Sequence, residues 1–324
     1  MRALLQLAFC TVLLLPVLSG CKKDQVDIAG AVRMYTGTGE NLNRITFLDS
    51  THVLVAGGDR FRAGFALASA DGGRTFSGPD TIPTSICGFY GIGARPDGTA
   101  WMCAFGGAFG VTHDYGASWA FVRGSQYSFV RDVAMISDTT LLCITTRTDD
   151  SGKIWRMNSD GYMDMRASYR ANLNRLLMIS ATTGYACGGG RIAKTTDGGQ
   201  SWQELVIEGD NFTSLCALGE SNIYACGQSG SIVASYDAGQ SWHYLRNGSN
   251  IANKRYWLSD LCFVDADHGY AVGEAGAVLY TDDRGEHWME LKPFSSADFR
   301  AIAPCPDGAL LVCGEGGELW RINP

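Results

Sequence analysis

Apolar and polar residues alternate along this chain in short runs, and Gly- and Asp-rich breaks separate the runs. The clearest stretch reads Phe263-Val-Asp-Ala-Asp-His-Gly269-Tyr270-Ala-Val-Gly273-Glu-Ala-Gly276-Ala-Val-Leu-Tyr280. The same signature stands at Gly184-Tyr185-Ala-Cys187-Gly188 and at Ile223-Tyr224-Ala-Cys226-Gly227. Alternation with a period of about two, bounded by turn residues, predicts short antiparallel strands joined by tight hairpins. No helical periodicity competes with it, so the chain is expected to be all-β.

The pattern itself repeats. Ser69-Ala-Asp71-Gly-Gly73-Arg-Thr75-Phe76 returns as Thr112-His-Asp114-Tyr-Gly116-Ala-Ser118-Trp119 and as Thr195-Thr-Asp197-Gly-Gly199-Gln-Ser201-Trp202. It returns again as Ser235-Tyr-Asp237-Ala-Gly239-Gln-Ser241-Trp242 and Thr281-Asp-Asp283-Arg-Gly285-Glu-His287-Trp288. The Asp positions are spaced by 43, 83, 40 and 46 residues. The long gap holds a degenerate unit around Trp155 and Asp160, and a terminal unit runs through Trp320. Seven units of about 40 residues, each with about four strands, predict a seven-bladed β-propeller, because one blade cannot bury both faces and must stack into a ring. The last unit is one strand short. The stretch from Val26 to Tyr35 is expected to supply it, joining N- and C-terminal strands in one blade and leaving no open edge.

These octapeptides resemble the Asp box, or bacterial neuraminidase (BNR) repeat, Ser/Thr-x-Asp-x-Gly-x-Ser/Thr-Trp. Asp and hydroxyl side chains accept hydrogen bonds from turn amides, and Gly permits positive φ. Five matching copies are more than one active site needs. Asp71, Asp114, Asp197, Asp237 and Asp283 are therefore expected to be structural.

The composition, 46% hydrophobic and 11% aromatic, supports a large core and excludes disorder. With 33 acidic against 26 basic residues the net charge is −7, so the domain-wide basic footprint of a nucleic-acid binder is absent. Cys103, Cys143, Cys187, Cys226 and Cys313 are assigned to one repeat position, where the sixth blade has Val272, as small core residues. Cys216 and Cys226 flank one hairpin, which leaves a disulfide there as an alternative. No Cys/His spacing suits zinc, and neither a metal nor a cofactor is expected.

The chain starts Met1-Arg2, continues with apolar residues from Ala3 to Leu18, and reaches Leu18-Ser19-Gly20-Cys21. This is the layout of a secretory signal, and its end resembles the bacterial lipobox. The resemblance implies cleavage after Gly20 and a lipid on Cys21. The expected organisation is a signal peptide over 1–20, a lipidated tether over 21–25 and a propeller over 26–324. The expected location is the outer membrane, on its periplasmic face or at the cell surface.

A binding site in a propeller belongs where the connections between blades lead into innermost strands beside the axis. Leu42, Phe89, Phe129, Leu173, Phe212, Leu258 and Phe299 are aligned as the core position of those approaches. Two residues on, Arg44, Arg131 and Arg175 are expected at one level, where guanidinium forks suit a carboxylate or phosphate. The alternative is that they bridge blades by pairing with Asp132 and Asp260. Arg300 adds positive charge, and Tyr90, Tyr256 and Trp257 add stacking surface. The longest inter-blade segment is expected from Arg246 to Trp257, a polar loop that carries Tyr256 and Trp257, and a second from Tyr162 to Asn174.

The repeat Gly-Tyr-Ala-Val-Gly-x-x-Gly, followed by Thr/Ser-x-Asp-x-Gly-x-x-Trp, resembles the photosystem II assembly and stability factor family over residues 36–324. Its carriers here are Gly269 to Gly276 and Thr281 to Trp288. It also resembles sortilin-type and BNR glycosidase propellers. The first resemblance implies a seven-bladed, non-catalytic binding protein with no catalytic residue. The expected partner is a protein or a glycan, held by a monomeric ring that meets the membrane only through its lipid. The competing reading is a sialidase-like glycoside hydrolase. Against it, Arg44-Ile45-Thr46 lacks the Pro of the sialidase Arg-Ile-Pro, and seven units disagree with six blades. A two-carboxylate glycosidase needs a facing pair, for which Asp132 and Asp260, at the starts of innermost strands in different blades, are the candidates weighed.

Overall fold

The computed structural model describes residues 30–323, except 79, 82–86, 127, 147–150, 206, 208–209 and 252. The signal peptide, the tether with Cys21 and residues 26–29 lie outside the described residues.

Each alternating run becomes a strand, and the strands form seven four-stranded antiparallel sheets, the blades. Numbered along the chain, their innermost strands are Leu42–Phe47, Phe89–Ala94, Phe129–Met135, Arg175–Met178, Phe212–Leu218, Leu258–Phe263 and Phe299–Pro304. Blade 7 is completed by Val32–Arg33, which runs antiparallel to Leu319–Ile322 with Val32 opposite Arg321. The Met34 amide donates to the Leu319 carbonyl at 2.8 Å, and the Thr36 hydroxyl donates to the Gly317 carbonyl at 3.0 Å. The ring is closed by its two terminal strands, as the missing strand of the last unit required.

The core lies between blades. Leu54 and Ala56 of blade 1 pack on Phe89, Ile92 and Met102 of blade 2, and the same layering recurs around the ring. The cysteines serve this packing, and all nine described ones are free. Cys103, Cys187, Cys226 and Cys313 face the next blade and are fully buried. Cys143 does not share their position. It packs back on blade 2, while Ile144 faces blade 4 in its place. Cys216 and Cys226 are not bonded to each other.

The repeated octapeptides form the turns between third and fourth strands. In blade 4 the Thr195 hydroxyl donates to Asp197 Oδ1 (2.8 Å) and accepts from the Gly199 amide (2.9 Å). Asp197 Oδ1 also accepts from the Ser201 amide (3.0 Å), and Oδ2 accepts from the Ser201 hydroxyl (2.6 Å). These bonds hold the Asp197 carboxyl down at about 2, with the Ser201 hydroxyl the largest cause. Gly199 has φ +80°, and a Cβ there would meet Leu142 of blade 3 at 2.5 Å, so this position requires glycine twice over. The same bonds recur around Asp71, Asp114 and Asp237. In blade 6 the His287 ring nitrogen replaces the hydroxyl, 2.6 Å from Asp283 Oδ2. In blade 3 Asn158 takes over, accepting from the Asp160 and Tyr162 amides.

Candidate functional site

The site is built by a repeated irregularity. In six blades the pairing of the first two strands slips by one residue near the start of the innermost strand. A β-bulge leaves one residue unpaired and re-aims its side chain. The bulge residues are Asn43, Tyr90, Arg131, Thr213, Ser259 and Arg300; Asn174 precedes the blade 4 strand at the equivalent place. All seven line a polar vestibule of about 330 Å³ around the axis.

This register corrects the sequence alignment of blade 3. The slip falls between Val130 and Asp132. Val130, fully buried, is therefore the core residue, rather than Phe129. Arg131 moves up to the level of Arg300, and Asp132 takes the level of Arg44 and Arg175. Three arginines do not share one level. Two lie in the outer ring and two lie one step deeper, with two carboxylates between them.

The outer ring ties blades together. The Asn43 amide donates to the Phe89 carbonyl (2.8 Å), Asn174 to Phe212 (2.7 Å) and the Thr213 hydroxyl to Leu258 (2.6 Å), each in the next blade. Arg300 donates to Asn43 Oδ1 (2.7 Å) and Glu315 (2.6 Å). Arg131 differs. It donates to Asn174 Oδ1 at 3.2 Å and lies over the Phe129 ring at 5.1 Å. It has no carboxylate partner among the described residues, and its buried Nε has no hydrogen-bond partner.

The deeper ring is a charge-balanced floor. Arg175 stands 3.7 Å from Asp132, and Arg44 of blade 1 reaches Asp260 of blade 6 at 3.8 Å. In blade 7, between them, Ala301 follows the bulge residue Arg300 at the equivalent level. Both carboxylates accept amide bonds across blades, Asp132 from Leu176 (2.9 Å) and Asp260 from Ile302 (3.1 Å). Asp260 also accepts from the Ser214 hydroxyl at 2.5 Å. Burial lifts the Asp132 carboxyl to about 6 against the opposing pull of Arg44, and it raises Asp260 as well. The bridging role weighed for Arg44 and Arg175 is therefore present in the floor.

Tyr90 lines the vestibule, edge-on to Phe129 at 4.7 Å. Trp257 stands on the lip, 49% exposed. Tyr256 is not part of it: only 4% exposed, its ring lies in the core beneath the loop with Lys254 over it. The stretch from Tyr162 to Asn174 is mostly the outer strand of blade 3, Met163–Tyr169, rather than a connection. Gln228 joins the lining from a turn that no sequence pattern marked. Among the described residues, the one group of side chains close enough to share a metal ion is Asp283, Glu286 and His287, far from this vestibule on a box turn.

Comparison with known proteins agrees with this architecture. The family described as photosynthesis system II assembly factor YCF48 matches residues 205–279, in blades 5 and 6. No curated protein sequence matches the chain. Among solved structures, one described as YCF48 bound to D1 peptide superposes with a TM-score of 0.73 at 17% identity, covering 93% of this chain and 99% of that one. YCF48 from Cyanidioschyzon merolae gives 0.72 at 16% identity, covering 91% and 99%. The WD40 propeller of Doa1 gives 0.67 at 12%, covering 90% and 94%. The resemblance to the photosystem II assembly factor family is borne out by the family match, and the structural likenesses show the fold.

Proposed function

We propose that this chain is a non-catalytic binding propeller that holds a protein partner at its polar vestibule through an anionic group on the partner. The observation that carries this reading is Arg131, a cation at the vestibule wall with no carboxylate partner among the described residues. An anion brought there gains a charge-assisted bond without first displacing an internal one. Arg300 stands at the same level, and Trp257 offers an aromatic contact at the lip. The structural likeness to a YCF48 solved with a D1 peptide supports a polypeptide as partner.

Hydrolysis has less support. A sialidase-like site pairs a Tyr with a Glu, and among the described residues no Glu lines the vestibule beside Tyr90. Asp132 and Asp260 are only 3% and 4% exposed and are engaged by amides of neighbouring blades. The lipobox at Cys21 supports attachment to the outer membrane, which would present the ring to partners outside the cytoplasm.

Crosslinked pull-down from intact cells tests the reading. Capture of a protein by the native chain, weakened by raised salt and lost with Arg131→Glu, is expected. A captured partner that survives Arg131→Glu, or turnover of an aryl-glycoside panel abolished by Asp132→Asn, would overturn it.

A further inference from the structure

The axial channel has a second end. Below the ion cluster the innermost strands continue to the opposite rim, where turns join first to second strands. There a cavity of about 470 Å³ takes residues from all seven blades, within the size range of roughly 300–1,000 Å³ typical of ligand pockets. Its lining side chains are apolar apart from Arg44 and Arg175 at the floor and Thr46, although close to half of the exposed wall is polar. Phe47, Met135, Met178 and Pro304 stand around the mouth, the first three partly exposed and Pro304 exposed.

The turns around this mouth carry Asp49, Asp97, Asp138, Glu220, Asp265 and Asp307, and Arg95 is their one Lys or Arg. Arg95 pairs with Asp97 and Asp138, Arg74 and Arg321 reach Asp307, Arg284 reaches Asp267 on the Asp265 turn, and His52 and His268 stand against Asp49 and Asp265. Asp138 remains 80% exposed beside its partner, and Glu220 has no ion pair among the described residues. A hole lined by apolar side chains inside an acidic rim disfavours fatty acids and phosphate-headed lipids at its mouth and favours cations around an apolar anchor.

We propose that this mouth is a second binding site, for a polypeptide segment bearing one or two large apolar side chains between Lys or Arg residues. The apolar side chain enters the cavity and the cations meet the rim. The site lies at the other end of the channel from Arg131, so it stands or falls independently of the vestibule.

The test is fluorescence anisotropy with the labelled peptide Lys-Lys-Phe-Leu-Lys-Lys, alongside Glu-Glu-Phe-Leu-Glu-Glu and Lys-Lys-Ser-Ser-Lys-Lys. The first peptide is expected to bind about tenfold or more tighter than either control. Met135→Arg should weaken it about tenfold, and Asp138→Lys with Glu220→Lys about threefold, since exposed charges act more weakly. Arg131→Ala should leave it unchanged while removing any hold of the vestibule on the acidic control, so the three peptides are compared in that variant. The rim double variant is exposed and keeps the test decisive if Met135→Arg fails to fold. Equal affinity for the three peptides, no binding, or indifference to the rim variant would overturn the proposal. So would displacement of the peptide by a neutral alkyl detergent equally well in native chain and rim variant. Sedimentation showing self-association through this face, abolished by Met135→Arg, would reassign it to a second copy of the chain.

Discussion

Replacing Asp197 with Ala removes three accepted hydrogen bonds from one box turn: those from Thr195 Oγ1, the Ser201 amide and the Ser201 hydroxyl. Each such bond is worth about 0.5–1.5 kcal/mol net. Ser201 is exposed and regains water, so its two bonds count near the lower limit. Thr195 is 1% exposed, and its hydroxyl keeps the bonds it accepts from the Gly199 amide (2.9 Å) and the residue 197 amide (3.4 Å) but loses its own acceptor. The expected loss is about 1–2 kcal/mol, or a melting point lower by about 2–5 °C. Calorimetry and urea unfolding measure it, with Ser201→Ala and the double variant completing a cycle. The folded-state carboxyl at about 2 lies below the unfolded value, so its stabilisation is present above about pH 4 and lost as pH falls through 2. The native and Asp197→Ala curves should therefore converge in strong acid. Equal stability at neutral pH would refute the account of the box. Lost partner binding with unchanged stability would make the box a site.

The floor predicts the opposite sign. Asp132 titrates at about 6 in the folded state, above its unfolded value, so its favourable contribution is complete below about pH 4 and lost as pH rises through 6. Unfolding free energy should fall between pH 4.5 and about 7 by roughly 2 kcal/mol or more, and Asp132→Asn should lessen that slope, with Asp260 keeping its own share; a flat native profile would contradict it. Deleting residues 26–35 strips the strand opposite Leu319–Ile322, and exposes an edge expected to aggregate or to lower the melting point sharply; unchanged melting would argue against this closure. Cys21→Ser should leave unprocessed precursor or soluble exported protein; membrane attachment that survives salt washing in that variant would discard lipidation.

The blades were legible because their signals are local: alternation marks the strands, and each box closes its own turn within a few residues. The terminal strand followed by counting, since a ring needs every edge paired. The vestibule was legible only to within one residue. Phe129 and Val130 are both apolar, and which of them enters the core depends on where the bulge falls, a choice made by contacts with blade 2. That single step separated Arg131 from Arg44 and Arg175 and placed Asp132 among them. Tyr256 and Trp257 are adjacent aromatics in one polar loop, and only tertiary packing buries the first and exposes the second. The outer strand of blade 3 escaped because Asn158 replaces the box hydroxyl and no Trp follows Asp160. The reach of Arg44 past blade 7 to Asp260 is a relation across the ring that no linear spacing encodes.

The central claim is that the vestibule around Arg131 is where a partner sits. It is tested most directly by a photo-crosslinking phenylalanine analogue placed at Trp257, on the vestibule lip, in the full chain in intact cells. The account predicts a discrete protein adduct that forms with the native Arg131 and disappears with Arg131→Glu, while the melting point of the variant stays within about 2 °C, as for other substitutions that leave the core packing alone. An adduct of the same size and yield in Arg131→Glu would contradict it.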